Sequence, residues 1–175
     1  MTTLLKPDTE IAASITCILS DVDGVMTDGR IIYDAAGFET KQFNVKDGLA
    51  IKAWMNGGFH FGILTARNSP IVQRRADELG VTHIGQGFEQ KLPAAISMLE
   101  QMGVTSDQVC YIGDDLPDLP VMKRVALAVT PADGAQDVRN AAHWILQSKG
   151  GHAAVRELVE RLLRAKHRWE ENVPV

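Results

Sequence analysis

The chain has 175 residues, 45% of them hydrophobic, and its 22 acidic and 18 basic side chains give a formal charge of −4. This length predicts a single domain, residues 1–175, that can bury a core without disulfide support. The charge lacks the basic excess of a dedicated nucleic-acid-binding protein, so we expect no nucleic-acid partner. No apolar run reaches the ~20 residues that cross a bilayer, so we expect no membrane partner either. Two cysteines, and no hydrophobic leader within Met1–Glu10, indicate a cytoplasmic protein.

Short apolar runs alternate with amphipathic stretches along the chain. The first run, residues 15–20, predicts a strand buried on both faces, and residues 29–44 then predict a β-hairpin that turns at 34–37. The later elements are a strand at 59–64, helices at 69–80 and 91–102, strands at 109–112, 125–129 and 143–146, and a helix around 155–164. The pattern predicts an α/β fold with a doubly wound, Rossmann-like parallel sheet flanked by helices and a protruding hairpin after the first strand. Residues 1–12 and 166–175 are expected to be loosely held.

Polar residues stand where predicted strands end or helices begin, which is the edge where open α/β sheets bind ligands. In chain order they are Asp21, Asp23, Thr65, Lys91 and Asp114. Carboxylates crowded at one edge repel one another unless a cation compensates, and Mg²⁺ accepts such oxygen ligands together with phosphate oxygens. A hydroxyl and an ammonium beside that cation would bind a phosphoryl group. The residues alone therefore predict Mg²⁺-dependent phosphate chemistry.

Four motifs built on these residues resemble those of the haloacid dehalogenase superfamily of phosphohydrolases, and the resemblance covers nearly the whole chain. The motifs are Asp21-Val-Asp-Gly-Val25, Thr65, Lys91 and Gly113-Asp-Asp-Leu-Pro-Asp118. The resemblance implies that Asp21 is a nucleophile that forms an aspartyl-phosphate, and that Asp23 is first the general acid and then the general base. It also implies that Thr65 and Lys91 bind the phosphoryl oxygens. The implied Mg²⁺ ligands are Asp21, the backbone carbonyl of Asp23, and Asp114.

Two further carboxylates of the last motif have open assignments. Asp118 would orient Lys91 or a metal-bound water, and it could equally be a helix cap after Pro117. Asp115 is ambiguous between the same two orienting roles. Taken alone, Asp21 or Asp114 would more often be a turn or cap residue, and their joint spacing is what favours the functional interpretation.

Cap domains usually close the active site in this superfamily, as insertions after the first or second motif. Here 44 residues separate Asp21 from Thr65 and 26 separate Thr65 from Lys91, and strands and helices fill both intervals. Only the hairpin is not needed for the strands and helices of the predicted core. Its apolar side chains would promote aggregation unless they were paired. We therefore expect the hairpin to assemble a homo-oligomer, so that a neighbouring subunit or a large substrate covers the site. The alternative is an exposed flap on a monomer.

Longer segments resemble one family of the superfamily, the 3-deoxy-D-manno-octulosonate 8-phosphate (KDO 8-phosphate) phosphatases. They are Asp21–Gly29, Phe43–Gly48, Ile63–Arg67, Gln86-Gly87 with Lys91, Gly113–Met122 and the tail segment Lys149–Glu157. The resemblance implies a tetramer whose hairpins form a central barrel, and release of KDO for lipopolysaccharide synthesis. It also implies that the substrate contacts Asn44, Asp47, Gly48 and Arg67, since a guanidinium can hold a sugar-acid carboxylate through two hydrogen bonds.

The chain departs from that family's pattern at Ala66 and Ala153, where glycine is usual, at Lys46, where arginine is usual, and at Gln90, where aspartate is usual. These changes leave the substrate open to an alternative, a related sugar-acid phosphate such as a nonulosonate 9-phosphate. Arg67 argues against that alternative, because the nine-carbon family tends to have an acidic residue there. A non-catalytic assembly module is a second alternative, and the intact motif residues argue against it.

The two cysteines have matching positions. Cys17 lies four residues before Asp21, and Cys110 lies four before Asp114. If both aspartates bind one Mg²⁺, their strands should be neighbours in register. The two thiols should then be close together, buried and unbridged.

Overall fold

A computed structural model describes residues 7–173 of the chain. Its main sheet consists of β1 (Cys17–Ser20), β4 (His60–Leu64), β5 (His83–Gly85), β6 (Val109–Ile112), β7 (Leu127–Thr130) and β8 (Trp144–Ile145). The spatial order is β5-β4-β1-β6-β7-β8, and every neighbouring pair is parallel. The prediction of a doubly wound parallel sheet is confirmed.

Helices cover both faces of this sheet, and they bury two apolar layers. On one face lie α1 (Asp8–Ser14), α2 (Val45–Asn56), α3 (Pro70–Leu79), α7 (Ala154–Ala165) and α8 (Trp169–Asn172), and on the other lie α4 (Lys91–Met102), α5 (Leu119–Met122) and α6 (Gln136–Ala141). Successive residues of β1 and β6 point into alternate layers, which explains why these strands are continuous apolar runs. No helix among residues 7–173 is long and apolar enough to span a membrane.

The hairpin pairs β2 (Ile32–Tyr33) with β3 (Glu39–Thr40) in an antiparallel two-stranded sheet separate from the main one. Asp34 closes the turn, because its Oδ1 accepts from the backbone N–H groups of Ala36 and Phe38, both at 2.9 Å. Its apolar side chains stay exposed: Ile31 by 52%, Ile32 by 38%, Tyr33 by 60% and Phe38 by 72%.

Several elements escaped the sequence interpretation, and β5 and α2 show why. The strand β5 has three residues and lacks an apolar run, so it gives no periodic signal. The helix α2 lies between the sheet and α7, with buried residues around much of its circumference and a glycine inside, so no single apolar stripe marks it.

The ends of the described chain are more firmly held than the sequence indicated. Asp8 of α1 receives two hydrogen bonds from the Arg161 guanidinium, at 2.6 and 2.8 Å, although residues 1–6 lie outside the described range. Trp169, within the expected loose tail, is only 6% exposed, and the Arg156 guanidinium lies 4.5 Å from its ring centroid. Both short helices are packed rather than loose in the structure, because α1 buries apolar surface against α7, and α8 does so against α7 and α2.

The strands β1 and β6 are neighbours, as the cysteine positions predicted, but their register differs from the expectation. Cys17 pairs with Val109 and Ile18 with Cys110, a shift of one residue. Since alternate residues face opposite sides, Cys17 and Cys110 belong to the two different apolar layers. Both thiols are buried and free.

Candidate active site

A crevice opens at the carboxyl ends of β1 and β6, where the winding of the sheet reverses. From β1 the chain proceeds outwards to β4 and β5, and it then returns to β6 on the other side of β1. Such switch points are where open α/β sheets bind ligands. The backbone N–H of Asp21 donates to the Ile112 carbonyl at 3.0 Å, which fixes the loop after β1 beside the loop after β6.

Asp21 is nearly enclosed at the bottom of this crevice, with 7% of its surface exposed. Its Oδ1 accepts from the Val22 backbone N–H at 2.7 Å, and its Oδ2 contacts Lys91 Nζ at 2.6 Å. Burial and the nearby Asp118 raise the pKa of Asp21 to about 6, against the opposing effect of Lys91. The carboxylate is thus held by a backbone donor on one side and an ammonium on the other.

Asp118 organises the neighbouring groups from a fully buried position. Its Oδ1 accepts from Lys91 Nζ at 2.7 Å and from the Tyr111 hydroxyl at 2.6 Å, and its Oδ2 accepts from the backbone N–H groups of Asp114 and Asp115 at 2.9 and 3.1 Å. Burial alone would lower the pKa of Lys91, but the carboxylates of Asp21 and Asp118 outweigh it and raise that pKa. Among the roles that the sequence left open for Asp118, these contacts favour orientation of Lys91.

Asp115 lies outside this cluster. It is exposed, and its Oδ1 accepts from the Leu116 backbone N–H at 2.8 Å at the start of a single 3₁₀ turn, Leu116–Asp118. The side chain therefore caps the turn that carries Asp118. The residue also lines the same cleft as Asp114, and its orienting role stays a prediction.

The residues around Asp114 fit a divalent cation. Carboxylate oxygens of Asp21, Asp114 and Asp118 lie within 4.8 Å of one another, and Asp114 Oδ1 is buried without a hydrogen-bond partner among the described residues. Burial, Asp21 and Asp118 together raise the pKa of Asp114 to about 8, which indicates an excess of negative charge. Gly24, at φ +90°, lets the loop after β1 approach, because a side chain there would overlap the Asp114 carboxylate. The donor set suits Mg²⁺.

Thr65 enters the crevice from the loop after β4. It is 2% exposed, and its backbone N–H donates to the Gly85 carbonyl of β5 at 2.9 Å. Its Oγ1 accepts from the Arg67 backbone N–H at 3.4 Å. Together with Asp21, Asp23, Lys91, Arg67 and the Asp114–Asp118 loop, Thr65 lines a cleft of about 260 Å³.

Two side chains at the base of the hairpin contact residues that line this cleft, and the sequence analysis did not single them out. The Lys41 ammonium pairs with Asp23 Oδ1 and lies 3.5 Å from Glu39 Oε1. Glu39 in turn accepts from Arg67 Nη2 at 2.7 Å and from the Ser69 hydroxyl at 3.0 Å. Ser69 stands at the position before α3, as predicted, but its hydroxyl bonds Glu39 instead of capping that helix. The sequence did contain a signal for these contacts, because Glu39 and Lys41 are two residues apart and therefore lie on the same face of an extended strand.

Three residues expected to bind substrate are not among those that line the cleft. Asn44 caps α2, accepting from the Lys46 backbone N–H at 2.9 Å. Asp47 is 2% exposed and accepts from the backbone N–H of Arg156 at 2.7 Å, near the start of α7. Gly48 allows close packing of α2 on α3, since a Cβ there would overlap Arg75. Within the described chain these residues serve capping and helix packing, and their contact with substrate stays a prediction.

A larger cleft, of about 820 Å³, lies elsewhere, between α1 and α7. Its three arginines are already paired: Arg156 and Arg164 with Glu160, at 2.9 and 2.8 Å, and Arg161 with Asp8. Its size therefore does not outweigh the chemistry of the smaller cleft.

Comparisons with known proteins agree with this geometry. A family described as haloacid dehalogenase-like hydrolase matches residues 83–158. A 3-deoxy-D-manno-octulosonate 8-phosphate phosphatase of Yersinia pestis is 41% identical over 159 residues, covering 91% of this chain and 85% of the relative. A crystal structure of that enzyme from the same organism has a TM-score of 0.93 and 38% identity, and covers 100% of this chain and 97% of its own.

A third relative carries bound molecules. The crystal structure of the phosphatase from Moraxella catarrhalis, in complex with a magnesium ion, a phosphate ion and KDO, has a TM-score of 0.91 and 38% identity over 94% of each chain. By sequence and fold, this chain belongs to the haloacid dehalogenase-like hydrolases, and within them to the family of 3-deoxy-D-manno-octulosonate 8-phosphate phosphatases.

Proposed function

We propose that this chain is a Mg²⁺-dependent phosphomonoesterase that hydrolyses KDO 8-phosphate to KDO and inorganic phosphate. The observation that carries the proposal is the Lys91 ammonium, which contacts both Asp21 Oδ2 at 2.6 Å and Asp118 Oδ1 at 2.7 Å at the bottom of the cleft. A nucleophilic carboxylate beside a fixed ammonium is what phosphoryl transfer to a side chain requires. The activity named for the relatives supports the choice of substrate.

The reaction would proceed in two steps. An Asp21 carboxylate oxygen attacks phosphorus as the bond to the sugar oxygen breaks, and Asp23 gives its proton to the departing alkoxide. Asp23 then takes a proton from the water that attacks the aspartyl-phosphate, which frees phosphate and restores Asp21. Throughout, the Thr65 hydroxyl and the Lys91 ammonium bind the phosphoryl oxygens.

The metal would be held by Asp21, Asp114 and the backbone carbonyl of Asp23. When bound, Mg²⁺ neutralises charge on the phosphoryl oxygens. Asp118 would hold both the Lys91 ammonium and the backbone that carries Asp114, so that metal and phosphate sites keep a fixed separation.

Arg67 would bind the sugar-acid carboxylate with only some of its guanidinium N–H groups, because Glu39 already occupies one nitrogen. Its Nη2 is engaged by Glu39, and its Nε lies 3.8 Å from Asp23 Oδ2. The guanidinium side chain is 39% exposed, so its remaining donors can meet a carboxylate at the mouth of the cleft.

A homotetramer is part of the proposal. The cleft of about 260 Å³ is below the roughly 300–1,000 Å³ of pockets that enclose small ligands, so a neighbouring subunit would complete it. The exposed apolar hairpin would pair with neighbours, and Phe38→Ser should convert the assembly to smaller species in sedimentation. We also propose a cytoplasmic location, which the free, buried cysteines suit.

Turnover of a panel of phosphorylated sugar acids tests the function. KDO 8-phosphate should have the highest kcat/KM, and equal or better turnover of a nonulosonate 9-phosphate would refute the substrate. Asp21→Asn should abolish metal-dependent phosphate release, and unchanged release would refute the mechanism.

A further inference from the structure

Lys41 is a buried cation in the protein's hairpin. Its side chain is only 1% exposed, although it follows directly after the exposed strand β3. Burying an ammonium is costly unless it is paired, and both of its partners are carboxylates: Asp23 Oδ1 and Glu39 Oε1. The arrangement therefore holds one positive charge against the carboxylate that the reaction uses as acid and base.

We infer that Lys41 is a positioning residue for Asp23, an inference that rests on the proposed phosphomonoesterase function. The Lys41 ammonium fixes Asp23 Oδ1, while Oδ2 has no hydrogen-bond partner among the described residues. Proton exchange with the leaving oxygen and with water then falls to Oδ2. The hairpin thus acts in the catalytic site of its own chain.

The position of the Lys41 ammonium is itself determined by contacts from a second element. Glu39, two residues earlier, is fixed by Arg67 Nη2 at 2.7 Å and by the Ser69 hydroxyl at 3.0 Å. Both partners belong to the segment between β4 and α3. The base of the hairpin is therefore attached to the loop that carries Thr65, and Lys41 reaches Asp23 from a fixed point.

The chemistry gives this role a specific signature. A sugar alkoxide is a poor leaving group and needs the proton of Asp23 as the P–O bond breaks, whereas p-nitrophenolate leaves without one. The value of kcat/KM reports the steps up to phosphoryl transfer to Asp21, before Asp23 acts as a base on water. Loss of Asp23 orientation should therefore lower kcat/KM for the alkyl ester and spare it for the aryl ester.

The test measures kcat/KM of Lys41→Met with KDO 8-phosphate and with p-nitrophenyl phosphate. General acid catalysis contributes about 10²–10⁴-fold, so we expect a fall of roughly 100-fold on the sugar phosphate and less than about threefold on the aryl phosphate. Lys41→Gln, which retains a hydrogen-bond donor, should recover part of the loss and also serves if the Met variant fails to fold. The control is Lys52→Met, at an exposed lysine of α2, with both values unchanged.

Equal falls on both esters would overturn the inference, because they would show a general structural defect. Glu39→Gln weakens the attachment of the hairpin and keeps the Lys41 ammonium, so it should show the same leaving-group pattern to a smaller extent. Equal falls on both esters in that variant would also overturn the inference. A wild-type enzyme that prefers another primary sugar phosphate would refute the proposed substrate alone. The fall in kcat/KM on that sugar phosphate would then be compared with the fall on p-nitrophenyl phosphate. The proposed substrate and the role of Lys41 can therefore be refuted separately.

Discussion

Replacing Asp47 by Asn should change how the stability of the protein depends on pH. Asp47 is 2% exposed, its Oδ1 accepts from the Arg156 backbone N–H, and its Oδ2 has no hydrogen-bond partner among the described residues. Burial raises its pKa from 3.8 to about 6, although the Arg156 backbone and the Arg75 charge oppose the rise.

The sign follows from proton linkage. Because the folded protein binds this proton more tightly than the unfolded chain, the free energy of unfolding falls as pH rises from about 4 to about 6. A pKa of about 6 in place of 3.8 corresponds to a loss of about 3 kcal/mol at neutral pH. Asp47→Asn removes this titration, so the variant should gain about 3 kcal/mol relative to wild type between pH 4 and pH 7.

Urea unfolding, followed by tryptophan fluorescence at fixed protein concentration, measures this difference at each pH. The exchange of oxygen for an amide has a cost that does not vary with pH, so only the change across the pH range is interpreted. Asp107→Asn makes the same substitution at an exposed carboxylate and is the control for changes in stability that do not depend on burial. A difference that stays constant from pH 4 to pH 7 would refute the reasoning. A raised KM for KDO 8-phosphate in Asp47→Asn would return this residue to the substrate site.

Three further substitutions test the site and the ends of the chain. Asp118→Asn places an amide against the donors that surround this carboxylate, so kcat should fall by about 100-fold or more as Lys91 loses its position; a nearly unchanged kcat would contradict the role. Gly24→Ala, at φ +90° and against Asp114, should weaken Mg²⁺ binding by at least tenfold in a calorimetric titration, and unchanged affinity would contradict the close approach. Trp169→Ala should lower the free energy of unfolding by about 3–5 kcal/mol in chemical denaturation, whereas a loose tail predicts no change.

The sequence predicted every strand of the main sheet except β5, and it placed the residues at the core of the site at strand ends, because both depend on local signals. Continuous apolar runs predict β1 and β6, and the residues directly after them, Asp21 and Asp114, must meet if the strands are neighbours. The same local rule fails for register. A spacing of four residues places each cysteine relative to its own aspartate, but it cannot reveal the one-residue shift between Cys17 and Cys110, because backbone pairing sets that shift.

Contacts between distant segments could not be predicted from patterns. Lys41 and Glu39 lie in a segment that we interpreted as an oligomerisation hairpin, and their contacts with Asp23 and Arg67 depend on how that hairpin folds back. Asp47 is a second case. Its motif resembles that of the family and predicts a substrate contact, but only the packing of α2 against α7 shows that the carboxylate also bonds a helix terminus.

The close approach of Gly150 to Gly24 links the nucleophile loop to a distant part of the chain. A side chain at Gly150 would overlap the Gly24 carbonyl, and the Gly151 N–H donates to the Val25 carbonyl at 2.9 Å. We expect this docking to follow the pairing of β1 with β4, because the loop from Gly24 to Gly150 is longer than the loop between those strands and costs more entropy to close. A chain whose central strands have formed would therefore have no phosphatase activity until the segment with Gly150 and Gly151 packs on the loop after β1. In refolding, circular dichroism should recover before phosphatase activity, and simultaneous recovery would contradict this order.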